Sequence, residues 1–313
     1  MLYTARGQDA LPLRKAHFFT GMEEDMPDVV FPHLGIQIQT LINHIDVFGF
    51  RITFYGIIIG IGMILGIQLV MQDAKRRGQD PDLYLNFALA AIIISIIGAR
   101  IYYVIFSWEM YKNDLLQVFN IRGGGLAIYG GVIAGVATMY VFCRVKKQSF
   151  FSMGDSAVLG LLTGQILGRW GNFFNAEAFG GYTDWLLALR YKLDLVNAGM
   201  LNQQVLDHVI TENGVQYIQV HPTFLYESCW NLLLLVFLLW YRKRKAFTGE
   251  IFLMYLGGYG LGRMFIESLR TDSLLLPYTS IPVSQVLAGL CFISSLALII
   301  WKRKKAGKGA HAN

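Results

Sequence analysis

Four stretches of this 313-residue chain place charged or amide side chains inside otherwise apolar sequence. GRWGNFFNAEAFGG, residues 168–181, carries Arg169, Asn172, Asn175 and Glu177; GYGLGRMFIES carries Arg263 and Glu267; HPTFLYES carries His221, Tyr226 and Glu227; GARIYY carries Arg100. Arg169 and Asn172 are three residues apart and Arg263 and Glu267 four, so on helices each pair shares a face. A guanidinium is a rigid two-pronged donor that matches carboxylate or phosphate oxygens. Two of them from different helices, with Gly168, Gly171, Gly180 and Gly181 thinning the wall, make a receptor for an anionic phosphate. A plainer reading of Arg263 and Glu267, an ion pair that locks one helix, stays open beside it. His221-Pro222 reads as a helix start with His221 as an interfacial cap, and Arg100 reads as a brace within a helix bundle.

These residues need elements to hold them, and composition says which kind. Of the residues, 54% are hydrophobic and 15% charged, and the mean hydropathy is +0.44; a soluble domain carries nearer a quarter charged residues. Apolar runs of about 20 residues, enough to cross hydrocarbon as a helix, recur seven times: Ile52 to Met71, Tyr84 to Phe106, Gly125 to Phe142, Ser156 to Phe174, Phe224 to Trp240, Ile251 to Leu269 and Val283 to Trp301. The expected fold is an all-α polytopic membrane protein. An ionised side chain at mid-bilayer costs about 2.5–3.5 kcal/mol, so Arg169, Arg263 and Glu267 are functional candidates by position alone.

Orientation follows from the basic residues. Lys75-Arg76-Arg77, Arg144 with Lys146-Lys147, Arg242-Lys243-Arg244-Lys245 and Lys302-Arg303-Lys304-Lys305 hold 14 of the 27 Lys and Arg residues and end the odd-numbered spans. The positive-inside rule puts them in the cytoplasm, with the N-terminus outside and the C-terminus inside. The net charge of +6 is then a signal of topology and of attraction to anionic lipid, and nucleic acid is not an expected partner. Residues 1–30 read as a tail, disordered or upstream of the true start. Residues 31–51 read as strand-like or interfacial structure on the outer surface, 52–303 as the seven-helix domain, and 304–313 as a basic cytoplasmic tail. The linker at about 175–220 is long enough for a small extracytoplasmic arm. Cys143, Cys229 and Cys291 are far apart, and no His or Cys spacing suggests a metal site.

GRWGNFFNAEAFG resembles the signature of the prolipoprotein diacylglyceryl transferase family, G-R-x-G-N-F-x-N-x-E-x-x-G. Further stretches similar to that family follow in order: FYGIIIG from Phe54, GGGLAIYGG from Gly123, HPTFLYES from His221 and GYGLGRMFIESLRTD from Gly258. The resemblance covers the chain from about residue 30 to its end. It implies a bacterial cytoplasmic-membrane enzyme that moves the diacylglyceryl group of phosphatidylglycerol onto the lipobox cysteine of a prolipoprotein signal peptide. A thioether forms and glycerol phosphate leaves, with no cofactor and no metal, and the nucleophile belongs to the substrate.

Carried over by position, the resemblance makes Arg169 and Arg263 the phosphate-binding arginines, with Asn172 and Glu177 aligning the headgroup or Arg169, and Glu267 positioning Arg263. Tyr55, Tyr259 and Gly180 also match the family's lipid site. Where the family often has a histidine in the GGLAIHGG loop, this chain has Tyr129. A phenol with a pKa of about 10 is a poor base at neutral pH, so Tyr129 is expected to orient the lipid while Glu177 or water takes the thiol proton. The arm is expected to guide the lipobox segment. Two other classes stay in view: an anionic-lipid transporter or scramblase, which would use the same buried charges but for which no internal repeat stands out, and an intramembrane hydrolase resting on His221 and Glu227.

Overall fold

A computed structural model describes residues 26–121, 124–271, 273–276, 279 and 281–310. Most of the tail expected over residues 1–30, and residues 311–313, lie outside the described residues. In chain order the elements are strands β1 (Val29–Phe31), β2 (Ile36–Ile38), β3 (His44–Val47) and β4 (Phe50–Thr53), then helices α1 (Phe54–Arg76), α2 (Pro81–Phe106), α3 (Ile128–Val145) and α4 (Phe150–Phe174). After these come β5 (Leu189–Lys192), β6 (Ile210–Glu212) and β7 (Val215–Val220), then α5 (Thr223–Tyr241), α6 (Glu250–Glu267) and α7 (Val283–Ala310). Short helical turns lie between α2 and α3 and between β5 and β6.

Six of these helices, all except α6, are long and apolar enough to cross a membrane. The chain is thus a mostly helical, polytopic membrane protein. Helix α6 has only 18 residues and spends three of them on Glu250, Arg263 and Glu267, which keeps it below the same standard of apolarity. The expectation of an all-α fold is corrected: seven strands are present among the described residues.

The described residues group into two compact units, one spanning 74–153 and the other 26–73 with 154–310. In the first, α2 starts where Asp80 caps the helix by accepting the backbone N–H of Asp82, with Pro81 at the first helical position, where no N–H is needed. α2 and α3 meet through glycines: a Cβ on Gly130 would lie 2.4 Å from the carbonyl oxygen of Gly98, so only glycine permits this backbone approach. Arg100, 7% exposed, donates to the carbonyls of Gln117, Val118, Gly124 and Gly125 at 2.5–3.0 Å. Its guanidinium stacks 5.1 Å over the Tyr111 ring. It ties α2 to the segment before α3 through carbonyls.

In the second unit, α1 packs on α4, where a Cβ on Gly66 would stand 2.7 Å from the Gly160 oxygen. The segment before α1 and the linker between α4 and α5 fold together as one antiparallel sheet of order β2-β1-β5-β7-β6, with Val29 opposite Tyr191 and Leu189 opposite Val220. Asn213-Gly214, both with positive φ, form the tight turn that joins β6 to β7. One face of the sheet buries Val29, Leu189, Tyr191, Ile218 and Val220 against Phe173, Phe179 and Phe224, which anchors it over the ends of α4 and α5. The Gln219 amide and then the His33 ring reach the Asp184 carboxylate, at 2.9 and 3.0 Å, and hold it below the usual carboxylate range. β3 and β4 form a separate hairpin that runs straight into α1.

Candidate active site

The signature stretch straddles the end of α4. Glu177 follows the helix in a loop held by backbone bonds from its own N–H to the Asn172 carbonyl (3.0 Å) and from Ala176 N–H to the Phe173 carbonyl (3.1 Å). Ala176 and Ala178, on either side of Glu177, have φ of +47° and +57°. Left-handed backbone costs an alanine about 1–2 kcal/mol, a strain that the surrounding contacts must hold in place. Thr223, at the start of α5, contributes by donating its hydroxyl to the Ala178 carbonyl.

Gly180 is explained by the backbone. Its N–H donates to the His221 carbonyl (2.9 Å), the Gly181 N–H to the Leu269 carbonyl (2.9 Å) and the His221 N–H to the Gly181 carbonyl (3.0 Å). A Cβ at Gly180 would come within 2.8 Å of both the His221 Cβ and the Leu269 oxygen. This glycine lets the signature loop, the start of α5 and the end of α6 close on each other. His221 sits in that junction with Nδ1 3.3 Å from the Tyr226 hydroxyl, and partial burial holds its pKa below the ordinary histidine value.

The charged side chains converge on a residue that spacing alone did not single out as a site residue. Glu227 of α5 is 2% exposed and bridges two arginines: Arg169 Nη2 from α4 lies 2.8 Å from its Oε1 and Arg263 Nη1 from α6 lies 2.8 Å from its Oε2. The Tyr259 hydroxyl also donates to Oε1, at 3.3 Å. Arg263 Nη2 pairs in addition with Glu267, whose other oxygen accepts from Ser273 (2.7 Å) and Ser284 (2.5 Å). Arg169 Nη1 donates to Asn172 Oδ1 at 3.3 Å, and Asn172 Nδ2 donates to Glu177 Oε1 at 2.9 Å, with Asn175 adding a bond to the same oxygen at 3.3 Å. One continuous network therefore runs Glu177–Asn172–Arg169–Glu227–Arg263–Glu267 across three helices.

Tyr55 of α1 packs its ring where a Cβ on Gly171 would stand, 2.4 Å from the nearest ring atom, so this glycine makes room for that tyrosine. Tyr129 is the second residue of α3, in the other unit, and is 37% exposed. The structure thus brings Tyr55, Arg169, Asn172, Glu177, Gly180, Tyr259, Arg263 and Glu267 into one unit, with Glu227 at the centre. The signal for Glu227 was available: it is the single charge in the helix sequence TFLYESCWNLLLLVFLLWY. Among the described residues, no group of three His, Cys, Asp or Glu side chains is placed to hold a metal ion.

Two guanidiniums, Arg169 and Arg263, and three carboxylates, Glu177, Glu227 and Glu267, carry the network's charge. Each guanidinium has five N–H donors; Arg169 and Arg263 each spend two on the partners described. With side chains 20% and 15% exposed, both keep donors for an incoming anion. A family profile described as prolipoprotein diacylglyceryl transferase matches residues 43–301. The chain belongs to the prolipoprotein diacylglyceryl transferase family. Relatives named phosphatidylglycerol–prolipoprotein diacylglyceryl transferase include one from Clostridioides difficile (strain 630), 40% identical over 82% of this chain and 94% of its own length. Another, from Clostridium botulinum (strain Langeland), is 43% identical over 81% and 94%, and one from Listeria welshimeri is 41% identical over 81% and 87%. For a member of this transferase family, the two-arginine centre on Glu227 is the feature whose chemistry needs explaining.

Proposed function

We propose that this protein transfers the diacylglyceryl group of phosphatidylglycerol to the cysteine thiol of a prolipoprotein lipobox. The substrate thiolate attacks the glycerol carbon that carries the phosphate ester. A C–S bond forms, the C–O bond breaks, glycerol phosphate departs with the electron pair, and the thiol proton passes to a carboxylate or to water. Charge grows on the leaving phosphate, so fixed cations facing it in a water-poor site lower the barrier. The observation that carries this reading is the pair of arginines from different helices, Arg169 and Arg263, that meet on one buried carboxylate with N–H donors still free. A lipid phosphate takes those donors and competes with Glu227 for the rest.

In this reading α6 is a seventh span, tolerated in lipid because Arg263, Glu227 and Glu267 satisfy one another. The basic clusters face the cytoplasm, and the sheet with the signature loop faces outward in the bacterial cytoplasmic membrane, where an exported peptide and a lipid headgroup meet. Asn172 and Glu177 align Arg169, Glu267 holds Arg263, and Tyr55 and Tyr259 line the lipid site. Tyr129 orients the lipid without acting as the base. The arm strands β5 to β7 guide the lipobox segment.

The test is to incubate purified protein in phosphatidylglycerol vesicles with a lipobox peptide and to detect thioether-linked diacylglyceryl peptide by mass. Thioether formation that Arg169→Ala abolishes supports the reading; lipid movement without thioether, or peptide cleavage, overturns it. Tyr129→Phe is expected to retain transfer, and a loss equal to that of Arg169→Ala would make the phenol the base.

A further inference from the structure

One helical turn, about 5.4 Å, below the charged centre lies a second polar layer. Asn231 is four residues after Glu227 on α5, Gln165 four before Arg169 on α4, and Tyr255 four before Tyr259 on α6. Each is thus one turn deeper than a member of the centre. Gln165 Nε2 donates to the Tyr255 hydroxyl at 3.0 Å, and the Tyr255 ring stacks on Tyr259 at 5.7 Å. Asn231 is 0% exposed, yet neither its Nδ2 nor its Oδ1 has a hydrogen-bond partner, and Gln165 Oε1 has none either. Beyond this layer the interior turns apolar, with Leu159, Leu162, Leu235 and Ile251 packed together.

A fully buried amide with both ends unpaired destabilises a fold, and native proteins pair such groups with a ligand or a bound water. The unmet atoms here are one donor group and two acceptors. Two hydroxyls, each donating one hydrogen bond and able to accept others, satisfy that mixture; an ammonium, which only donates, and a phosphate, which only accepts, do not.

We propose that Asn231 and Gln165 form a hydroxyl-binding site one turn beneath the arginines, and that it determines which headgroup the enzyme accepts. The inference rests on the phosphatidylglycerol reading. With the phosphate on Arg169 and Arg263, the glycerol headgroup is about one helical turn long and carries its hydroxyls to this depth. The same hydrogen bonds can be met by a buried water, so the source of the hydroxyl is what the experiment separates.

Phosphatidylglycerol is compared with phosphatidylmethanol, which has the same phosphodiester charge and no headgroup hydroxyl, for wild type, Asn231→Leu, Asn231→Ser and Gln165→Leu, all normalised to folded protein. Wild type is expected to prefer phosphatidylglycerol at least tenfold in kcat/KM, and both leucine variants to lose that preference by falling to the phosphatidylmethanol rate. An equal loss on both lipids that Asn231→Ser restores assigns the hydroxyl to water and overturns the headgroup role. Full turnover of both leucine variants on both lipids, or an equal loss that serine does not restore, overturns the site. Lipid-dependent shifts in melting temperature, read on the same proteins without peptide, keep this separate from failure of the transferase reading. A larger shift with phosphatidylglycerol than with phosphatidylmethanol, abolished by Asn231→Leu, supports the site even where no thioether forms, and equal shifts in wild type count against a headgroup source.

Discussion

Both ends of the larger unit bury carboxylates against cations, in different arrangements. At the end with the basic clusters two acids each face one cation: Asp155 pairs with Lys245 at 2.8 Å and Glu250 with Arg303 at 2.6 Å. Backbone amides fill much of what remains, since Asp155 also accepts from the N–H groups of Gly249 (2.9 Å) and Phe252 (3.0 Å) and so fastens the turn that begins α6. At the signature end one acid, Glu227, serves two arginines, and both arginines keep donors. An acid matched to one cation and to backbone amides is a latch. An acid shared between two cations can give them up in part to another anion, which is what a phosphate-binding site requires.

Neutralising one acid at each end breaks or upholds this distinction, with the largest effects expected. Glu227→Gln leaves two partly buried guanidiniums without their common counter-charge. Transfer is expected to fall by about 10²-fold or more, the scale for losing preorganised electrostatics in a site, and melting temperature is expected to fall with it. Asp155→Asn is expected to cost stability on the order of 3 kcal/mol, the scale for breaking a buried pair, while turnover per folded molecule stays within about twofold of wild type. The checks are thermal unfolding in detergent and the thioether assay on the same preparations. Loss of turnover in Asp155→Asn at full stability would erase the distinction between the ends.

A smaller effect sharpens it from the side of the backbone. Ala178→Gly relieves left-handed strain of about 1–2 kcal/mol and gives back about 0.5–1 kcal/mol through a freer unfolded chain. Melting temperature should therefore stay level or rise slightly, while turnover falls several-fold because the loop that aims Glu177 loosens. A variant equally active and equally stable would mean that this strain serves no function.

The membrane-length helices were legible because apolar length is a local property of the chain. Arg169, Asn172 and Glu177 were legible because they sit within ten residues of one another. The sheet was half legible: residues 31–51 read as strand-like, but nothing local in VVF at Val29 says that it pairs with a strand about 160 residues later, at Tyr191. Glu227 was seen as a buried charge but not as the centre, since its partners lie 58 residues before it and 36 after it in sequence. Only the packing of three helices makes it shared. Asn231 and Gln165 passed as ordinary amides, because lack of a partner is a property of the folded interior.

The smallest expected effect concerns His221, at the junction that holds the signature loop to α5 and α6. Partial burial disfavours its charged form, so its folded pKa lies below the unfolded value of about 6.5. Between those two values the unfolded chain binds more protons than the folded one, so stability decreases as pH falls through that window and is at its full value above it. His221→Gln lacks this titration. The margin of wild type over His221→Gln in melting temperature is expected to shrink from pH 7.5 to pH 5.5. A margin that widens instead would mean the imidazolium gains an anionic partner in the fold, and that the junction beside Gly180 belongs with the exchangeable charges of the site and not with its fixed framework.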